Sequence, residues 1–158
     1  MIITSRVLRY DMQFDSESEL LAFAKKLEGR RFSEISASIG MLDENHRRHT
    51  KGIAGKVIET EYFGIPSNSS EKPDFENLGI ELKVSPLRYV ERVNLYTTKE
   101  RNVIKMVDYN EISKNKIWTQ NKINTKLNRV LYVLYLHDNT VDAWEWTVVK
   151  TFLWTPSL

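Results

Sequence analysis

The chain has no cysteine among its 158 residues. Disulfide staples and thiolate-held metals are therefore excluded, and a metal site would need oxygen or imidazole donors. Glycine and proline are sparse, at six and four, too few for a fibrous or low-complexity chain. No stretch approaches the roughly 18 consecutive apolar residues that span a bilayer. The opening MIITSRVLRYDMQF is interrupted by Arg6, Arg9 and Asp11 and lacks the apolar centre of a signal peptide. The expectation is a soluble, cytoplasmic protein with no membrane partner. Internal repeats and linkers are absent as well, and nothing in the sequence speaks to oligomeric state.

What is present is ordinary globular material, 41% hydrophobic and 28% charged, enough for one domain over residues 1–158 with a real core. The net charge of +2 is too mild to demand a polyanion. Its distribution is more informative: bases gather at Arg30-Arg31, at His46-Arg47-Arg48-His49 with Lys51, and across 114–129. Such clusters suit phosphate contacts, although each alone reads equally as solvated surface. His46 and His49 lack a nearby third ligand, so phosphate contact or plain surface is the better reading than a metal site. No basic segment has the look of a helix or ribbon that reads a DNA major groove.

Periodicity divides the chain into elements. Residues 15–29 predict a helix, capped by Asp15 or Ser16, with Leu20, Leu21, Phe23, Ala24 and Leu27 as its apolar stripe. A second helix begins within 30–45. Residues 51–63 predict a third, with Ile53, Val57, Ile58 and Tyr62 facing the core and Glu59 and Glu61 outside. Gly52 and Gly55 are not a phosphate loop, since no G-K-[ST] follows; close helix packing accounts for them. The segment GIPSNSSEKP is a loop. Strands are expected at 80–84, 93–96, 102–107 and 129–137, with a hairpin partner over 141–149, and a short helix within 118–127. The four tryptophans read as core and sheet-packing residues. The sum is an α/β or α+β domain with a central sheet and an N-terminal helical layer.

The segment PDFENLGIELK, residues 73–83, carries the chemistry. Glu81 and Lys83 lie two apart on a predicted strand and so leave one face, while Leu82 points the other way into apolar packing. Asp74 arrives from the preceding turn. Both carboxylates are expected on the solvent side. Two carboxylates and a lysine are the inventory for metal-assisted phosphodiester hydrolysis: hard oxygen ligands for Mg²⁺, and a cation to orient water or offset charge. The bare E-x-K triplet is weak, because many amphipathic strands contain it.

Its surroundings are more specific. Residues 51–87 pair a K-G-x-x-G helix ending in Glu (Lys51, Gly52, Gly55, Glu59) with a variable loop. The loop leads to P-D-F-x-x-x-G-I-E-L-K-x-x-P (Pro73, Asp74, Gly79, Glu81, Leu82, Lys83, Pro86). This resembles the MutH family of GATC-cutting endonucleases, which includes type II restriction enzymes. Downstream, residues 99–109 resemble a segment of the restriction-enzyme branch, 118–136 an aromatic-x(7)-Lys element followed by a core strand, and Leu153-Trp154-Thr155-Pro156 a short motif after that strand. The resemblance covers about residues 45–156 of this sequence.

The resemblance implies a restriction-endonuclease-like α/β core, a central mixed sheet flanked by helices. It implies Mg²⁺ held by Asp74, Glu81 and the main-chain carbonyl of Leu82, with Lys83 activating or positioning water. Glu59 is implied to support the metal site and Lys126 to be a further active-site lysine, with Lys122 its nearest competitor. DNA phosphates would be met by Lys51, Arg47, Arg48 and Lys122. The implied substrate is double-stranded DNA at GATC and the implied setting a restriction-modification system, the chain corresponding to the N-terminal catalytic half of a Sau-type enzyme without a C-terminal recognition lobe. The alternatives are a mismatch-repair nicking enzyme and a non-catalytic DNA-binding or allosteric module.

Overall fold

A computed structural model describes residues 12–40, 52–66, 72–99 and 128–156. Helix α1 spans Glu17–Lys25 and starts where Ser16 accepts the Glu19 amide at 3.2 Å. That bond satisfies one of the donors a helix start leaves open. Acidic Glu17 and Glu19 fill the first turn and Lys25 the last, matching the helix dipole. The helix is shorter than the sequence pattern suggests; the chain beyond it turns through Gly29 at φ 79°. Helix α2, Phe32–Ser38, buries Phe32, Ile35 and Ser36.

The third helix is where expectation and structure part. Gly55–Tyr62 is wound as a π-helix, shown by the Phe63 amide bonding back to Ile58 at 3.0 Å. Its wider turn brings residues four and five apart onto one side. Val57, Ile58, Glu61 and Tyr62 are accordingly buried together. Tyr62 stacks on Phe23 at 4.6 Å between ring centroids and donates its hydroxyl to the Phe23 carbonyl at 2.9 Å. Glu61, expected outside, is 5% exposed and accepts the Ser36 hydroxyl at 2.9 Å. The π-helix is thus tied to both α-helices.

Among the described residues, four strands form one sheet in the order β2-β1-β3-β4: β1 Glu81–Val90, β2 Leu95–Thr98, β3 Val130–Leu136 and β4 Thr147–Trp154. The β1–β3 pair is parallel, and β1–β2 and β3–β4 are antiparallel. This mixed open sheet with helices against it is consistent with the restriction-endonuclease-like α/β architecture. β4 begins later than the sequence pattern suggests, because Asp142 accepts the Trp144 amide and caps a short 3₁₀ turn over Ala143–Glu145. Leu82, Leu131, Val133 and Tyr135 on the sheet join Leu20, Ala24, Phe32 and Ile58 from the helices, and Leu27 and Phe63 just beyond them, in one apolar core.

Trp144 is 5% exposed, and Trp146 stacks on Tyr135 at 5.6 Å. Trp154 is 39% exposed and meets Tyr132 edge-on at the sheet surface. Among the described residues, no helix is long and apolar enough to cross a membrane. The strand expected at 102–107 and the helix at 118–127 lie outside the described residues.

Candidate active site

The site is assembled at the start of β1. Strand alternation places Ile80 and Leu82, at 0% and 3% exposure, toward the core, and Glu81 and Lys83 on the opposite face. The Glu81 amide donates to the Arg129 carbonyl at 3.0 Å, so the edge of residue 81 faces β3. The edge of Leu82 therefore faces away from β3. There Asp74 Oδ2 accepts the Leu82 amide at 2.9 Å. Because N–H and C=O of one strand residue share an edge, the Leu82 carbonyl leaves β1 on the side where Asp74 sits. The turn over 76–79 makes this possible: Phe75 and Ile80 form an isolated antiparallel bridge, and Gly79 takes φ 66°, a left-handed conformation that favours glycine.

Lys83 Nζ donates to Glu81 Oε1 at 2.9 Å. Expectation and structure differ at one of the two carboxylates. Asp74 is exposed, as anticipated, but Glu81 is 4% exposed. A charged residue in a strand need not face water when a lysine on the same face meets it. Ser85, next on that face, is also buried, so this part of β1 is covered on both sides. Glu59 comes from the π-helix and is half-buried, its carboxylate lying against Gly55 with Oε2 3.5 Å from where a β-carbon would stand. Burial foremost, then the negative charge of Asp74, raises the Glu59 carboxyl above its ordinary range; Lys83 pulls it down and Glu81 adds to the rise. Glu59, Asp74, Glu81 and Lys83 thus share one electrostatic neighbourhood.

The donor set suits a hard divalent cation. Mg²⁺ is commonly held through one or two carboxylates, with water and substrate phosphate filling the rest of its shell. Asp74 and Glu81 have that chemistry, and the Leu82 carbonyl is a neutral oxygen on the Asp74 edge. Among the described residues no three His, Cys, Asp or Glu side chains are grouped to enclose an ion. Lys126, Lys122, Lys51, Arg47 and Arg48, together with His46 and His49, lie outside the described residues.

Glu61 is the buried acid that the sequence pattern placed at the surface. The only signal for it lies in the helix spacing, since Ile53, Val57, Ile58 and Tyr62 fit a turn of four to five residues as well as an α-helical one. Lys56 approaches Glu61 at 4.0 Å, five residues apart, a spacing that π winding aligns.

Comparison with known proteins gives a consistent result. The family model described as "DNA mismatch repair enzyme MutH" matches residues 63–158. The chain is 31% identical over 144 residues to the DNA mismatch repair protein MutH of Pasteurella multocida, covering 90% of this chain and 61% of the relative. The corresponding protein of Vibrio cholerae is 28% identical over 142 residues, again covering 90% and 61%. That of Salmonella newport is 31% identical over 144 residues, covering 90% and 58%. The chain therefore spans about three-fifths of the length of these curated relatives.

Proposed function

The chain belongs to the MutH family, and from that membership we propose that it hydrolyses phosphodiester bonds of duplex DNA at GATC, using a divalent metal that we take to be Mg²⁺. The observation that carries this reading is the join at β1: Asp74 is bonded to the main chain of Leu82 while Glu81 and Lys83 pair at 2.9 Å beside it. Asp74, Glu81 and the Leu82 carbonyl would hold the metal. When bound, Mg²⁺ would polarise the phosphoryl oxygens and acidify a coordinated water. Lys83, kept beside Glu81 by their ion pair, orients the attacking water and offsets charge as the phosphate becomes five-coordinate. Glu59 supports the metal site in this reading, as an outer ligand or by orienting Lys83. Lys126 is assigned as a further lysine of the site, and Lys51, Arg47, Arg48 and Lys122 as phosphate contacts. Residues 1–158 act in this reading as one catalytic domain.

Two settings are compatible with this chemistry. The loop before Pro73 and the segment 99–109 resemble the restriction-enzyme branch, which favours a type II enzyme of a restriction-modification system. The relatives named above are mismatch-repair proteins, which favours a nicking enzyme. A supercoiled plasmid separates the readings. In Mg²⁺, cleavage at GATC is expected, with EDTA or removal of every GATC abolishing it. Linear product supports the restriction setting and open-circular product the nicking setting. Metal-independent cleavage, or equal cutting without GATC, contradicts the proposal.

A further inference from the structure

β1 does not end at the site. It runs on to Val90, turns through a 3₁₀ segment Glu91–Val93 and returns as β2. Register pairs Tyr89 with Tyr96 and Arg88 with Thr97. Beyond Leu87 this two-stranded ribbon is largely exposed, with Val90 and Thr97 half-buried. It carries four large apolar side chains in water: Tyr89 at 46%, Val93 at 50%, Leu95 at 60% and Tyr96 at 54%. A cluster of this kind marks an interaction surface. The Tyr89 hydroxyl bonds the Asn94 side chain, and the two tyrosine rings lie 5.3 Å apart. The aromatic pair is therefore held in place before any partner arrives.

Charge decides the kind of partner. From Leu87 to Lys99 the ribbon bears Arg88, Arg92 and Lys99 against a single acid, Glu91, and all four are exposed. Tyr89 has the same strand parity as Glu81 and Lys83, so the site face of β1 continues into the tyrosine pair. Six residues at about 3.3 Å each separate Lys83 from Tyr89, about 20 Å along the strand. That equals about six base-pair steps of duplex DNA. A major groove admits a two-stranded ribbon, and this one carries the tyrosine pair on one face and Arg88 on the other.

We propose that the β1–β2 ribbon docks in the major groove of the duplex flanking the cut, about six base pairs from it. The proposal rests on the duplex-DNA reading above and adds a second contact to it. Arg88 and Arg92 meet phosphates, and the Tyr89–Tyr96 pair packs on sugar and base edges.

The test is fluorescence anisotropy of the full chain in Ca²⁺ with labelled GATC-centred duplexes of about 8 and about 24 base pairs. Leu95→Ser/Tyr96→Ser and Arg92→Ala are compared with the wild-type chain, circular dichroism confirming that each is folded. The long duplex should bind about tenfold more tightly than the short one, and Leu95→Ser/Tyr96→Ser should erase that difference while leaving the short duplex unaffected. Arg92→Ala should lower the salt slope by about one. If the two duplexes bind alike, or both variants bind the long duplex as the wild type does, the ribbon proposal fails while the functional reading stands. If no duplex binds, both fail. If sedimentation shows that the substitutions dissociate a dimer without altering DNA binding, the ribbon is a self-contact and the proposal is overturned.

Discussion

Lys83 and Glu81 pair at 2.9 Å, and the consequence of removing either depends on what that pair does. If Lys83 positions water and offsets charge, Lys83→Ala should slow single-turnover cleavage by roughly 10²–10³-fold while leaving duplex binding in Ca²⁺ nearly unchanged. Weak binding with normal turnover at saturation would make it a phosphate clamp instead. Glu59 gives a pH prediction. Its carboxyl is raised, by burial first and then by Asp74, so the folded chain holds that proton more tightly than the unfolded chain. The folded state is favoured at low pH, and this contribution is lost as pH rises from the ordinary carboxylate range through the raised value. Without divalent metal, the urea midpoint should therefore fall across that window, and Glu59→Gln should flatten the fall. An unchanged profile in Glu59→Gln would contradict the account. At this scale the sequence was informative where period two applies: the shared face of Glu81 and Lys83 and the inward turn of Leu82 follow from it. The burial of Glu81 did not follow, because alternation alone assigns a charged residue to water and is blind to its ion-pair partner.

The π-helix is the element that carries Glu59 of the proposed site. It holds Glu59 near Asp74 and Glu81, and it is pinned by Glu61 to Ser36 and by Tyr62 to α1. Ser36→Ala removes a hydrogen bond to a buried carboxylate and should cost roughly 1–3 kcal/mol in urea unfolding. A loss below a few tenths would show that the tie carries little. The helix itself was legible in residues 51–63, since its apolar residues recur once per turn. Its winding was not, because over so short a segment the apolar residues fit either helical turn. The misplaced Glu61 is the direct result. β4 shows the same limit: its apolar composition marked a strand, but the start depends on the Asp142 cap, which periodicity cannot register.

Across the whole molecule, the fold brings Asp74 and the start of β1 to one edge. The parallel β1–β3 pair fixes the direction of β1, and the Phe75–Ile80 bridge folds Asp74 back onto Leu82. A central sheet was legible from the strand runs at 80–84 and 129–137 and its mixed character was implied by the family resemblance, whereas the pairing order and the exposed β1–β2 ribbon were not legible, since strand pairing is long-range and no basic run announces the ribbon. The central claim is that Asp74, Glu81 and Lys83 form one metal-dependent centre. Asp74→Asn tests it most directly, because asparagine keeps an oxygen to accept the Leu82 amide while discarding the negative charge. Single-turnover cleavage of a GATC duplex in Mg²⁺ should fall by at least about 10²-fold in Asp74→Asn, with the urea midpoint at or above that of the wild type, since a charge that opposes the Glu59 carboxylate is removed. Cleavage at the wild-type rate in a folded Asp74→Asn chain would contradict the account.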